Sequence, residues 1–234
     1  MNKKLIAVVP AFLLAFAGCS STPTFQTGED AEITHDGLTR MEGTVMDVVW
    51  AREDIDLTGF TTVMFEGVGF QYRNDSGPYS GRAGAGTPTM RRSSTTEFQL
   101  DADTRALFEE EISGAFLEEI MRSDIIKIVD EPGPDVLLVR GGLLDVVSRV
   151  PPETVGRSRI FISSIGEATL VLEVVDPASN TVLARAVDRR AGDRMGGMES
   201  NTVTNRAEVR RLGRRWGSIL REGLETMLTE GLSK

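Results

Sequence analysis

The stretch Glu167-Ala168-Thr169-Leu170-Val171-Leu172-Glu173-Val174-Val175-Asp176-Pro177-Ala178-Ser179-Asn180-Thr181-Val182-Leu183-Ala184-Arg185-Ala186-Val187 decides the fold class. Ala168, Leu170, Leu172 and Val174 alternate with Thr169 and Glu173, the period-two pattern of a strand with one buried face. Asp176 to Asn180 gathers Pro, Ser and Asn, which close turns, and Thr181 to Val187 returns to strand-forming residues. Two strands joined by so short a turn pair antiparallel, so the chain is read outward from a hairpin.

Upstream of the hairpin, Arg157 to Ile162 reads as a further strand. Asp135 to Val147 reads as a longer one, entered through Pro132-Gly133-Pro134 and ended by Pro151-Pro152. Gly141-Gly142 in its middle marks a bulge or a close backbone approach. The first strong strand signal is Phe60 to Phe70, with Val63, Met64, Phe65 and Val68. Asn74 to Thr96 then runs through Gly, Pro, Ser, Thr and Arg without apolar period, a long loop of the kind that often carries function.

Two helices flank these strands. From Asp101 to Arg122, with Asp101 and Asp103 as candidate caps, Phe108, Ile112, Phe116 and Ile120 form one apolar row and Leu107, Gly114, Leu117 and Met121 a second. Two apolar faces imply two packing partners, a sheet and another helix. The runs Glu109-Glu110-Glu111 and Glu118-Glu119 read as solvated surface. The terminal helix spans Asn205 to Leu228, with Asn205 and Glu208 at capping-box spacing. Val209, Leu212, Trp216, Ile219, Leu220, Gly223 and Met227 fall within an arc of roughly 100°. Arg206, Arg210, Arg211, Arg214, Arg215 and Arg221 occupy the other side. The result is an α+β class, a mostly antiparallel sheet with two packed amphipathic helices, in which Phe108, Ile112, Phe116, Leu170 and Trp216 share one core.

The N-terminus has a different character. Lys3 and Lys4 precede an apolar run from Leu5 to Phe16, and Ala17-Gly18 stand directly before Cys19. A run of about twelve residues is too short for a hydrocarbon core of about 30 Å, so it reads as a removable export signal. Phe16-Ala17-Gly18-Cys19 resembles the lipobox of bacterial lipoproteins, which implies a diacylglycerol thioether on Cys19, palmitate on the mature N-terminus and membrane attachment through lipid. Ser20 after the Cys, rather than Asp, resembles the outer-membrane default. The chain then divides into a signal peptide at 1–18, a lipidated tether at 19–35 with a root-mean-square span of roughly 20 to 24 Å, and a single periplasmic α+β domain at 36–234.

Lys+Arg of 26 against Asp+Glu of 35 in 234 residues gives a net charge of -9, the wrong sign for a nucleic-acid binder. His35 is the only histidine and lies in the tether; Cys19 is the only cysteine. Nucleophilic triads and zinc–histidine sites therefore lack their parts. Gly81 to Gly86 matches no phosphate loop, since the Lys-Ser/Thr is missing. Nothing in the sequence asks for a cofactor or metal. Carboxylates remain, and they would serve a hydrolase only if they converge. The Arg row of the last helix reads either as a solvated face balanced by Glu208, Glu222 and Glu225, or as a contact strip at Arg206, Arg210, Arg211, Arg214 and Arg215 for acidic groups of an envelope protein or glycan.

Asp36-Gly37-Leu38, Val49-Trp50-Ala51-Arg52, Asp56-Leu57-Thr58-Gly59-Phe60, Asp135-Val136-Leu137-Leu138-Val139-Arg140 and Val150-Pro151-Pro152 resemble a family of bacterial lipoproteins known as domain of unknown function thirty-three-thirteen. The resemblance runs from Asp36 to the C-terminus and supplies no catalytic residue. It implies a periplasm-facing, outer-membrane-anchored lipoprotein acting as a non-catalytic binding or envelope-assembly module. The alternative is a carboxylate-dependent envelope hydrolase.

Overall fold

The hairpin forms the middle of a sheet. In a computed structural model describing residues 23–73, 97–151 and 159–229, the strands are β1 (Thr24–Phe25), β2 (Thr39–Glu42), β3 (Val48–Ala51), β4 (Thr62–Tyr72), β5 (Lys127–Ile128), β6 (Val136–Ser148), β7 (Phe161–Asp176) and β8 (Thr181–Glu199). The helices are α1 (Ala102–Ile120) and α2 (Thr202–Thr229). The strands lie in the order β1-β2-β3-β8-β7-β6-β4-β5. Only the pairings of β4 with β6 and with β5 are parallel. The fold is thus α+β, with a mostly antiparallel sheet and two helices.

At the turn, Asp176 Oδ1 accepts from the Ala178 N–H at 2.9 Å and Oδ2 from Ser179 Oγ at 2.7 Å, while Asn180 takes the left-handed conformation at φ 52°. This is the short-side-chain turn chemistry expected of Asp, Ser and Asn. Both hairpin strands run further than their apolar pattern. Of the segment expected at 157–162, residues 157 and 158 lie outside the described residues and Phe161–Ile162 run on without a break into the segment expected at 167–176, as one strand, β7. Ser164 Oγ bonds both the N–H and the carbonyl of Gly166, bending the strand there instead of ending it. The charged run Asp188-Arg189-Arg190 does not end β8 at Val187, because the Asp188 carboxylate is satisfied inside. It accepts from Trp216 Nε1 at 2.7 Å, Arg190 Nε at 2.5 Å and the Asp47 N–H at 3.1 Å.

β2 and β3, unannounced by any long alternation, pair Thr39–Met41 with Val49–Ala51 and dock on β8. Pro23 to His35, the described part of the tether, follows this edge: β1 pairs with β2, and Ile33 bridges Thr39. Cys19 and the leader lie outside the described residues, as does the loop at 74–96.

The core lies between one sheet face and the two helices. Trp216, 1% exposed, sits among Ile112, Leu170, Leu172, Leu212 and Leu220, and Phe108 and Phe116 pack half-buried on its flank. Asp101 caps α1 as expected, accepting from the Thr104 N–H at 2.8 Å. α2 begins three residues earlier than expected. Its cap is Asn201, whose Oδ1 accepts from the Thr204 N–H at 3.0 Å, while Thr204 Oγ1 accepts from the Asn201 N–H at 3.2 Å. This reciprocal pair takes the place of Asn205/Glu208, and the Asn205 N–H makes an ordinary helical bond to the Asn201 carbonyl.

The second face of α1 also differs. Leu107 and Met121 are 40% and 62% exposed. The surface turned to α2 consists of Glu111, Ile112, Ala115 and Glu119, all buried. Small residues make that approach possible. A Cβ on Gly213 would stand 2.5 Å from the Ile112 carbonyl oxygen, and one on Gly217 2.6 Å from that of Phe116. Gly114, by contrast, has no atom within 4 Å of such a position.

Gly213→Ala forces the helices apart and should lower stability by about 1–3 kcal/mol. Gly114→Ala should raise it by about 0.5–1 kcal/mol, through backbone entropy alone. Urea unfolding of the two variants beside the parent checks both signs.

Candidate functional site

The charged side chains of the described residues are largely tied to one another. On the sheet face away from the helices, Arg185 binds Asp36 and Glu173, each at 2.9 Å, and Arg140 binds Glu66 at 2.7 Å. At one end of the sheet, Arg73 pairs with Asp145 and with Glu97 at 2.6 Å. Arg189 joins Asp145 to Glu167, and Arg149 reaches Glu167 at 3.2 Å. The Arg73 hydrogen bond, against partial burial, holds the Asp145 carboxyl below its ordinary range. For Glu167, burial opposes ionisation, but Arg189, Arg149 and Arg73 outweigh it and the pKa falls. A hydrogen bond from Thr34, then one from Arg185, hold Asp36 at about 2. Carboxylates held down in this way are ion-pair partners; general-acid chemistry needs the opposite shift. No group of three His, Cys, Asp or Glu among the described residues is placed to hold a metal.

The Arg row of α2 is divided by its surroundings. Arg206 and Arg210 both bind Glu111, Arg210 at 3.2 Å, and Arg210 also reaches Glu118 at 2.5 Å. Arg211 pairs with Glu208 and donates to the Asp193 carbonyl at 2.7 Å. Arg221 contacts Glu119 and Glu225. Glu111 and Glu119, expected in solvent, are therefore buried at the α1–α2 contact: Arg206 and Arg210 of α2 neutralise Glu111, and Glu119 is paired with Arg122 at 2.7 Å, with Arg221 of α2 at 3.7 Å. Arg214 is half-buried, Arg215 is exposed, and neither forms an ion pair among the described residues. His35 is exposed in the turn before Gly37.

What the structure adds is a cavity of about 220 Å³ between α1 and the sheet. Its origin is local. Gly67 of β4 and Gly141 of β6 are direct partners in the ladder, so the floor there has no side chains. A Cβ on Gly67 would meet no atom within 4 Å. On either side of this notch, aromatic pairs prop α1 away from the sheet: Phe65 against Phe116 and Phe70 against Phe108, each edge-on at 6.2 Å. The inner wall is Leu170, Leu172 and Trp216, and Ile112 closes it from above. Ser113 and Gly67 at the rim are exposed, whereas Ile112, Leu172 and Trp216 are buried, so the hollow opens beside β4 and is closed at its inner end.

Two strand-interior glycines each cost about 0.5–1 kcal/mol relative to Ala; the space beside Gly67 stays open, whereas a Cβ on Gly141 would stand 2.8 Å from Leu172 Cδ2. Gly142 is a different case: its Cβ would collide with the Gly69 carbonyl at 2.7 Å, which is the close backbone approach expected of the Gly pair. The bulge of β6 falls later, between Leu144 and Val147. Sequence reading passed over Gly67 because a lone Gly in a strand has no partner until the register is known.

A family model described as Protein of unknown function (DUF3313) matches residues 30–219. The chain belongs to this family. No curated protein matches this DUF3313 chain. Among solved structures it is similar to the PelC dodecamer from Paraburkholderia phytofirmans, at 10% identity and TM-score 0.33, over 73% of this chain and 96% of that one. It is also similar to protein XCC0632 from Xanthomonas campestris, a DUF330 protein, at 10% identity and TM-score 0.37, over 76% and 93% of the two chains. A putative neuraminyllactose-binding hemagglutinin homolog from Helicobacter pylori matches at 9% identity and TM-score 0.33, over 75% and 86%. Likeness at this level says nothing of function.

The buried Glu111 gives a pH-dependent prediction. The Arg206 hydrogen bond, opposed by burial and joined by Arg210, holds its carboxyl below the ordinary 4.5. A pKa lowered on folding adds stability above the ordinary value and loses it as pH falls through the folded one. Glu111→Gln should therefore lower the urea midpoint at neutral pH. The gap to the parent should narrow below about pH 4.5; a gap independent of pH would show that the carboxylate's charge adds nothing.

Proposed function

We propose that the protein is an outer-membrane-anchored lipoprotein facing the periplasm, and that its folded body is a non-catalytic binding module whose ligand enters the cavity under α1. The observation that carries this reading is the cavity itself, apolar and propped open by two aromatic pairs over a glycine floor. Folding normally closes such space, since interiors pack to crystal density. Its volume of about 220 Å³ exceeds the ~150 Å³ at which an apolar cavity already takes up benzene, and its lining is largely apolar, which supports a binding reading. The clustered charges support a non-catalytic reading, because the carboxylates with perturbed ionisation are all lowered.

Anchoring rests on the leader, with Cys19 carrying diacylglycerol and palmitate. No helix among the described residues is long and apolar enough to cross a membrane. Arg214 and Arg215 are the members of the Arg row open to an envelope protein or glycan.

Two measurements test this. In cells, Cys19→Ser should abolish palmitate labelling and leave unprocessed precursor; labelling that persists would remove the anchor. In solution, the full chain carrying Cys19→Ser should brighten N-phenylnaphthylamine, a dye that fluoresces in apolar surroundings, and Gly67→Leu should abolish that signal. No dye uptake by the parent would refute the cavity as a binding site.

A further inference from the structure

The cavity's shape and lining restrict what it can hold. It opens beside β4 and reaches inward over β6, where a methyl of Leu172 closes over Gly141. The aromatic pairs Phe65–Phe116 and Phe70–Phe108 wall it on both sides along the strand direction. A single hydrocarbon chain fits this slot with apolar contact on both sides.

Polarity narrows the choice further. The one hydrogen-bond donor on the inner wall, Trp216 Nε1, is already committed to Asp188 at 2.7 Å. Glu66, next to Gly67, carries its side chain on the other face of the sheet, paired with Arg140 at 2.7 Å. A glycan or peptide segment entering the slot would lose its water without gaining partners, which is unfavourable for every polar group inserted. A charged end would fare worse.

We infer that the ligand is one unbranched acyl chain of an amphiphile, tail inward against Leu172 and Trp216, with its polar end left in water beside Ser113. This deepens the binding reading above and rests on it. The slot is blind to the headgroup, so a free fatty acid and a lysophospholipid of equal chain length bind alike.

Trp216 makes the inference testable, since the chain has two tryptophans and Trp50 lies on β3, outside the cavity lining. In the full chain carrying Cys19→Ser and Trp50→Phe, dodecanoate brominated at its far end should quench the remaining tryptophan. Hexanoate, octanoate, decanoate and dodecanoate should compete with it. Affinity should rise about fourfold with each methylene that enters, then level off once the slot is full. Lysophosphatidylcholine with a dodecanoyl chain should compete as well as dodecanoate does. Gly67→Leu should weaken quenching at least about tenfold, since its side chain takes up the alkyl volume, and should leave the urea midpoint unchanged or raised. Leu117→Phe, at the rim, narrows the mouth by a second route and should have the same effect.

If the dye enters and is excluded by Gly67→Leu, but the acids show no chain-length dependence, the acyl assignment falls and the binding reading stands. If neither dye nor acid enters, both fall. Quenching that survives both variants puts the chain elsewhere and overturns the assignment. Competition by the free acid alone also overturns it, because the carboxylate would then be recognised.

Discussion

Gly213 and Gly217 bring the backbone of α2 against the carbonyls of Ile112 and Phe116, and the position of α1 follows from that contact. α2 lies on the sheet directly, seated by Trp216 and Leu220 on the inner face. α1 is therefore held from the side by α2 and from below by the two aromatic pairs, overhanging β4 at its outer margin. With helix and sheet fixed at that separation, Gly67 leaves open space on the floor, while a methyl of Leu172 leans over its ladder partner Gly141. Cavity, buried ion pairs and exposed rim all depend on two helix positions that have no side chain.

The same contact explains where the charges went. Bringing α1 and α2 so close buries Glu111 and Glu119 at the seam. A carboxylate left there unpaired would be strongly destabilising. Arg206 and Arg210 neutralise Glu111 from the neighbouring helix, and Glu119 is paired chiefly with Arg122 just past the end of α1, with Arg221 of α2 behind it. Asp188 is handled similarly on the sheet, with Trp216, Arg190 and the Asp47 N–H as donors. Most of the Arg-rich face thus serves the interior, and the chemistry left for a ligand is apolar.

How much of this was legible in the sequence depends on the range of the interaction. The hairpin at Glu167–Val187, the Asp101 cap and the apolar stripe containing Leu212 and Trp216 are set by neighbours a few residues apart, and periodicity displays them. Asn201 as the cap of α2 was missed because Asn205 with Glu208 gives an equally good local pattern, and only the reciprocal Thr204 bond separates the two. The fate of Glu111 was hidden for a different reason: a Glu run on a helix looks solvated until a second helix supplies arginines. Gly213, Gly217, Gly67 and Gly141 carry no periodic signal. Their meaning comes from pairings such as Gly67 with Gly141, seventy-four positions apart, that no local window contains.

The central claim is that a preformed hollow between α1 and the glycine floor accepts a hydrocarbon chain. The most direct measurement is a nuclear magnetic resonance titration of the isotope-labelled full chain carrying Cys19→Ser with dodecanoate, following the amides of Gly67 and Gly141, the Ile112 and Leu172 methyls and the Trp216 indole N–H. Saturable shifts at these positions, with the signals of Trp50 and Val187 on the opposite sheet face unmoved, are the predicted result. Shifts confined to that opposite face, or none at all, would contradict it.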